Sequence, residues 1–309
     1  MMDRRAFLGA ATSATAFFRM PRGVASEGKP EIAFTFDDPT TRGGAGLEWR
    51  ELNRRILEAL SRHSIQAVLF VCGMRVDSAA GRELIASWDH HGHLIGNHSY
   101  SHLFFDDVTL GEFEADSFKN EPLIKSHANF TRLFRFPFFK EGNTEEKRDG
   151  MRALLRQRGY RIGRATIDAS DWAINTRLEA RLKQTSNADL LGYREFFLQH
   201  IWERASYYQS LAQRVLKHPV RHTVLLHHNA LNALFIGDLI EMFKQKGWRP
   251  VDAQYAYGDP VYDRQPRILP AGESLIWALA KEAGGYEREL RYPGEDDRYE
   301  KPKMDALRL

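Results

Sequence analysis

The chain has 309 residues, 43% hydrophobic and 28% charged, which fits a soluble globular protein with one large core or two small ones. Its lone cysteine, Cys72, excludes an intramolecular disulfide. Residues 1–25 hold four Arg and one Asp, as large an excess as the +3 of the whole chain, so the remainder is balanced and offers no basic face for nucleic acid.

In chain order, the first feature is "MMDRRAFLGAATSATAFFRMPRGVASEGKP". Arg4 and Arg5 precede an apolar stretch, Ala6 to Phe18, too short to span a bilayer comfortably. Gly23-Val24-Ala25 supplies small residues for cleavage. The pattern is that of a bacterial export signal. "DRRAFL" resembles the twin-arginine type, with a mild Ala/Thr/Gly-rich stretch and with Arg19 and Arg22 behind it. The expectation is an exported protein, periplasmic or secreted, with no stable membrane span after cleavage. Residues 1–25 are the signal, 26–263 the main domain and 264–309 a C-terminal extension.

Beyond residue 30, short apolar runs alternate with amphipathic stretches. Strands are expected at Ile32–Phe36, Ala67–Cys72, Leu94–Gly96, Leu133–Phe136, Ala165–Ile167, Thr223–Leu226 and Trp248–Val251. Helices are expected near 47–62, 79–91, 109–126, 145–158, 178–216 and 232–246. Such alternation predicts an α/β fold with parallel strands, and about seven repeats favour a barrel over an open sheet. No GxGxxG follows the first strand, which argues against a dinucleotide fold. Cys72 ends the apolar run "AVLFVCG" and is expected to be buried.

In parallel barrels the active site lies at the C-terminal strand ends. There the polar residues gather: Asp37-Asp38, "GNHSYSH", "RFPFF", "DASDW" and "LLHHN". His98 and His102, four apart, would share one side of a helical turn within reach of one metal ion. A catalytic zinc site takes three protein ligands and leaves one position open, so two histidines and a carboxylate would serve. Successive strand side chains point apart, so one of Asp37 and Asp38 can bind metal while the other stays free as a base. Arg135, among apolar residues, needs a carboxylate partner, with Asp168 and Asp171 as candidates. His227 ends "TVLL", where a carboxylate could poise it as a proton donor, and His228 competes for that role. His218 and His222 repeat the four-residue spacing but read as a helix-end coincidence. His90, His91 and His93 sit at the wrong end of the barrel.

These motifs, in this order, resemble the NodB-homology polysaccharide deacetylases of carbohydrate esterase family 4. "TFDDP" stands for TFDDG, "HSYSH" for H-[ST]-x-x-H, "RFPF" for R-x-P-[YF], "DASDW" for D-x-x-D-W and "LLH" for L-x-H. The resemblance spans roughly residues 30–255. It implies a distorted, NodB-like (β/α)7 barrel, a divalent metal, usually Zn2+, and an acetylated glycan substrate such as peptidoglycan. Asp38, His98 and His102 would hold the metal. Asp37 would be the general base, oriented by Arg135. His227 would be the general acid, tuned by Asp171 first and Asp168 second. The Phe138 N–H would help stabilise the oxyanion, and Leu225 and Trp172 would line the pocket for the acetyl methyl. The expected activity is deacetylation of N-acetylated polysaccharide. The alternatives are an O-acetyl-glycan esterase, a catalytically silent carbohydrate-binding domain, or a relative acting on small cyclic amides. Three features depart from the family pattern: Pro39 in place of glycine, a long aromatic-rich stretch between Trp172 and His227, and the extension beyond residue 264 with a helix near 272–283.

Overall fold

A computed structural model describes residues 28–291 and 297–309; the segment read as an export signal lies outside the described residues. The chain runs β1 (Glu31–Asp37), α1 (Trp49–Arg62), β2 (Val68–Val71), α2 (Gly73–Val76), α3 (Ala79–His90), β3 (Leu94–Asn97), α4 (Leu110–Lys119), α5 (Glu121–Ile124), β4 (Phe130–Phe134), β5 (Lys140–Gly142), α6 (Glu145–Gln157) and β6 (Arg161–Ile162). It continues as α7 (Asp171–Gln184), α8 (Leu191–Leu216), β7 (Arg221–His227), α9 (Ala230–Gln245), β8 (Arg249–Pro250), α10 (Ala253–Tyr257), β9 (Ala271–Gly272), α11 (Leu275–Ala283) and α12 (Glu300–Leu307). The main sheet has the order β6-β4-β3-β2-β1-β7, and every pairing in it is parallel. β8 covers Glu31 and Ile32 of β1, below the point where pairing with β2 begins at Thr35.

Period-2 alternation in β1 decides what faces where. Ile32, Phe34 and Phe36 are fully buried on the outer face. Phe34 meets Phe243 of α9 and Phe36 meets Trp88 of α3, edge to face at 6.1 and 5.4 Å. Each such ring removed from water stabilises the fold by roughly 1.5–3 kcal/mol, so helices must cover this face. Ala33, Thr35 and Asp37 point the other way, and their register partners on β7 are Thr223, Leu225 and His227. β1 and β7 thus deliver Asp37 and His227 side by side.

The expected strand at Ala165–Ile167 forms only a single bridge, Ile167 to Val224. The reason is distance along the chain. The Gly163 N–H bonds to Phe134 O next to β4, while the Thr166 N–H already bonds to Thr223 O of β7. Three residues must cross from one sheet edge to the other, so this segment closes the seam instead of running along it. The expected helix over 178–216 is two helices, broken between Gln184 and Leu191, where "TSNAD" supplies weak helix formers. The first of them starts at Asp171, inside the DASDW motif. His222 lies within β7 and is buried against Thr166 and Gln209, so it is a core histidine and not a helix-end residue. His93 is buried too and accepts the Ala67 N–H. Among the described residues no helix is long and apolar enough to cross a membrane.

The C-terminal extension is built into the barrel. β9 pairs antiparallel with β5. The strap that carries it, residues 264–274, is held near its start by three arginine side chains. Arg164 donates to Arg264 O at 3.0 Å, Arg152 to Pro266 O at 2.8 Å and Arg148 to Arg267 O at 2.8 Å. Arg152 and Arg164 also converge on the Glu141 carboxylate of β5 at 2.6–2.8 Å. Burial pushes the Glu141 carboxyl up, but the two arginines outweigh it and hold it below its ordinary range. Glu141→Ala would strand two buried cations. We expect it to lower the unfolding free energy by roughly 3–5 kcal/mol in denaturant titration; a loss within about 0.5 kcal/mol, as for an ordinary surface change, would show that the cluster carries no such weight.

Candidate active site

At the centre of the barrel stands Arg135, just past β4 and fully buried. Its Nε donates to Gly163 O at 2.8 Å, and Nη1 to Thr35 Oγ1 at 2.8 Å and Asp37 Oδ1 at 2.7 Å. Nη2 donates to Tyr257 Oη at 3.0 Å. The guanidinium lies 4.0 Å over the Phe70 ring. A Cβ on Gly96 or Gly163 would stand 2.7 or 2.5 Å from that ring, so glycine at both positions makes room for it. The carboxylate partner of Arg135 is therefore Asp37, not Asp168 or Asp171.

Asp37 and Asp38 both reach the cleft, against the alternation of a continued strand. Asp37 points into the lumen. A continued strand would send Asp38 outward among the helices, but the backbone turns left-handed there (φ 58°) and returns it to the mouth. Asp tolerates that region better than most residues. Pro39, buried, follows directly. His98 follows β3, and His102 is reached through left-handed Ser99 (φ 60°) and is itself left-handed (φ 56°). The four-residue spacing is thus met by an irregular turn and not by a helix. The imidazoles lie 4.9 Å apart.

Asp38, His98 and His102 each place a donor atom within 4.8 Å of the others. The residues present fit a divalent ion on three grounds. Burial holds both histidines down at about 4, so at neutral pH they are neutral donors. The Nδ1–H of His98 donates to Arg135 O at 2.9 Å, which leaves Nε2 free to ligate. The buried Oδ1 of Asp38 accepts no hydrogen bond among the described residues, although Arg75 Nε stands 3.1 Å away. Burial raises the Asp38 carboxyl; His98, His102 and Arg75 outweigh it and bring it below its ordinary value. With both histidines neutral, Arg75 is the cation that persists there. Asp37 lies 3.6 Å from His98 Nε2 and already spends one oxygen on Arg135. Burial pushes its carboxyl up to about 6, with Arg135 pulling the other way.

On the facing side, the Nδ1–H of His227 donates to Asp171 Oδ1 at 2.7 Å. Asp171 Oδ2 accepts from the His227 N–H and from the amides of Asn229 and Asn232 at 2.7–3.0 Å. The carboxylate is saturated and the imidazole tautomer fixed, so Nε2 is left for the cleft. Burial alone would lower His227, but Asp171, then Asp37 and Asp38, carry it up to about 9. His228 points to the opposite face, buried against Asn53 and Trp88. Asp168 is buried and does not hydrogen-bond to His227 among the described residues; burial first and Glu273 second push its carboxyl up to about 7.

Asp37, Asp38, His98, His102, Asp168 and His227 line one cleft of about 750 Å³, with Arg135 and Asp171 buried behind them. Leu225, Phe139 and Ala165 form a small apolar cluster there, and Trp172 and Phe138 stand half exposed at the rim. Phe138 packs 4.5 Å from His102 and takes a left-handed backbone (φ 54°). Among the lining residues without a signal in local sequence are Arg75 from α2, Lys140 from β5 and Glu273 from the strap. Lys140 follows "RFPFF" directly; Glu273 is more than a hundred residues from any motif it meets, so only the folded chain shows it.

The polysaccharide deacetylase family profile matches residues 24–180. A peptidoglycan-N-acetylglucosamine deacetylase from Bacillus cereus is 26% identical over 144 residues, 47% of this chain and 47% of that protein. The chain thus matches about half the length of that relative. Among solved structures, a polysaccharide deacetylase from Bacillus cereus overlays with a TM-score of 0.53 at 20% identity, covering 72% of this chain and 90% of that one. A carbohydrate esterase family 4 pseudoenzyme from Bacillus anthracis gives 0.53 at 18% identity, covering 74% and 65%. At these identities the overlays establish the fold: a curled, mostly parallel sheet of the distorted (β/α)7 type.

Calorimetry with a divalent ion tests the donor set. Asp38→Asn is expected to weaken binding by more than the roughly 10–100-fold that loss of a supporting group costs, and Asp37→Asn by less; the reverse order would mean the two aspartates have exchanged jobs. NMR of the metal-free protein tests His227, whose imidazole should titrate near pH 9. Because that value is raised, the stability carried by the protonated form is complete below the ordinary 6.5 and lost as pH rises through about 9. In Asp171→Asn the midpoint should fall to 6.5 or below; an unmoved midpoint would remove Asp171 as its cause.

Proposed function

We propose, from the premise that the chain belongs to the polysaccharide deacetylase family, that it is a metal-dependent hydrolase removing acetyl groups from N-acetylated glycan. One observation carries this: a base held by Arg135 and an acid held by Asp171 flank the Asp38–His98–His102 cluster from neighbouring strands, in register at Asp37 and His227.

Bound by those three residues, a divalent ion, with zinc the best match to the donor set, would supply Lewis acidity that polarises the acetyl carbonyl and makes water more acidic. The chain's own residues do the rest. Asp37, fixed by Arg135 and poised near neutrality, accepts the proton of the attacking water; a positioned base contributes typically 10²–10⁴-fold. The tetrahedral oxyanion forms beside Phe138, whose backbone N–H is the proposed donor. His227, protonated at neutral pH, gives its proton from Nε2 to the departing nitrogen. An amine leaves only when protonated, so an imidazolium held up to about 9 suits amide cleavage. Leu225 and Trp172 offer apolar surface to the acetyl methyl, and Trp172 at the rim is free to lie against a sugar ring.

The cleft is large enough for more than one sugar, and the Bacillus relative is named for peptidoglycan N-acetylglucosamine. Together with the N-terminal segment, this supports action on cell-wall or exported glycan outside the cytoplasm. Pseudoenzymes occur among the structural neighbours, yet here base, acid, both positioning groups and all three donors stand together. Metal-loaded protein should release acetate from N-acetylglucosamine oligomers or peptidoglycan, and faster than from O-acetylated glycans. Asp37→Asn should keep its metal and lose roughly 10²–10⁴-fold in rate. If protein with one tightly bound metal releases no acetate from any glycan of either kind, the proposal fails.

A further inference from the structure

The extension beyond residue 264 does more than close the fold. The strap runs past the cleft, and the backbone on both sides of Glu273 is stitched to the cleft floor. The Glu273 N–H donates to Phe139 O at 3.2 Å and the Leu275 N–H to Ala165 O at 2.8 Å. Phe139 and Ala165 are two members of the apolar cluster completed by Leu225. Gly272 sits at φ 131°, and a Cβ there would stand 1.9 Å from Phe139 O, so only glycine lets the strap come this close. Ser274 then caps α11. Between these anchors Glu273 is held left-handed at φ 66°, a conformation a glutamate adopts only when its surroundings impose it. The result is a carboxylate in the cleft wall, 2.5 Å from the ammonium of Lys140, with the two side chains 12% and 19% exposed. It is also close enough to Asp168 to act on its ionisation, and Asp168 in turn feels His227.

We propose that Glu273 and Lys140 form a sugar-recognition pair that holds the hydroxyls of a neutral hexosamine while its acetyl group faces Asp37 and His227. This rests on the deacetylase reading. The chemistry selects a neutral sugar. Glu273 and Lys140 neutralise each other at 2.5 Å, so the pair offers no net charge to draw an ammonium or a carboxylate. A hydroxyl satisfies both partners at once, accepting from the ammonium and donating to the carboxylate. The motif residues build the reaction centre, and the strap adds a specificity residue that lies outside the stretch matched by the family profile, 24–180.

The test is steady-state kinetics of the metal-loaded full chain on two substrates, an N-acetylglucosamine tetramer and a sugar-free aryl acetate. Glu273→Gln keeps the shape and removes the charge. Its kcat/KM on the tetramer should fall about tenfold or more beyond any fall on the aryl acetate, mainly through KM. Lys140→Gln should do the same, and it tests the same pair should Glu273→Gln fail to fold. Parallel falls on both substrates would show a structural role and overturn the proposal, as would an unchanged tetramer KM. Those failures leave the deacetylase reading standing. Wild-type protein that cleaves the aryl acetate and no glycan overturns both.

Discussion

The structure depends on one buried charge. Arg135 has no exposed surface, so the desolvation of its guanidinium has to be offset by partners with good geometry. Four oxygens and one aromatic face do this: Gly163 O, Thr35 Oγ1, Asp37 Oδ1, Tyr257 Oη and the Phe70 ring. The five partners come from four parts of the barrel: β1 supplies two, and β2, the seam and α10 one each. Removing one charge of such a pair costs about 3–5 kcal/mol, a large fraction of a domain's stability. The same contact sets the chemistry. With one oxygen on Arg135, Asp37 is held beside the cluster where the proposed base is needed, and Asp38, turned back over the mouth by its left-handed backbone, is the carboxylate proposed to ligate.

A second buried charge does for the C-terminal part what Arg135 does for the lumen. Glu141 gathers Arg152 and Arg164, and the donors those arginines have to spare, together with Arg148, seize the strap carbonyls. A segment that looks like an appendage in sequence thereby becomes a wall of the cleft. The two clusters meet at the stretch from Arg135 to Glu141. It leaves the lumen, turns left-handed twice at Phe138 and Phe139, and enters β5.

What was legible in sequence was chemistry that is local. "TFDDP", "HSYSH" and "DASDW" each hold their functional groups within five residues, and the alternation of apolar runs gave the parallel α/β class. The side-chain period of β7 also foretold that only one of the His227 and His228 imidazoles would face the cleft, whereas the left-handed backbone at Asp38 overrode the alternation expected to turn it away from Asp37. What was not legible is what depends on distant chain. Arg135 shows an unpaired cation in sequence, and its residues alone pointed to Asp168 or Asp171; only the family resemblance paired it with Asp37, the partner it has. "GRATID" has the composition of a strand, and only the width of the barrel seam turns it into a crossing. The spacing of His98 and His102 suits a helix, yet two left-handed residues achieve the same convergence. Glu273 carries no local mark at all, because its role is set by the backbone of Phe139 and Ala165.

The division of labour between adjacent aspartates is the central claim, and a crystal structure of the zinc-loaded protein tests it most directly. The account predicts zinc on Asp38, His98 and His102, with Asp37 Oδ1 still on Arg135. Zinc ligated by Asp37, with Arg135 turned away or Asp38 left on Arg75 alone, would contradict it.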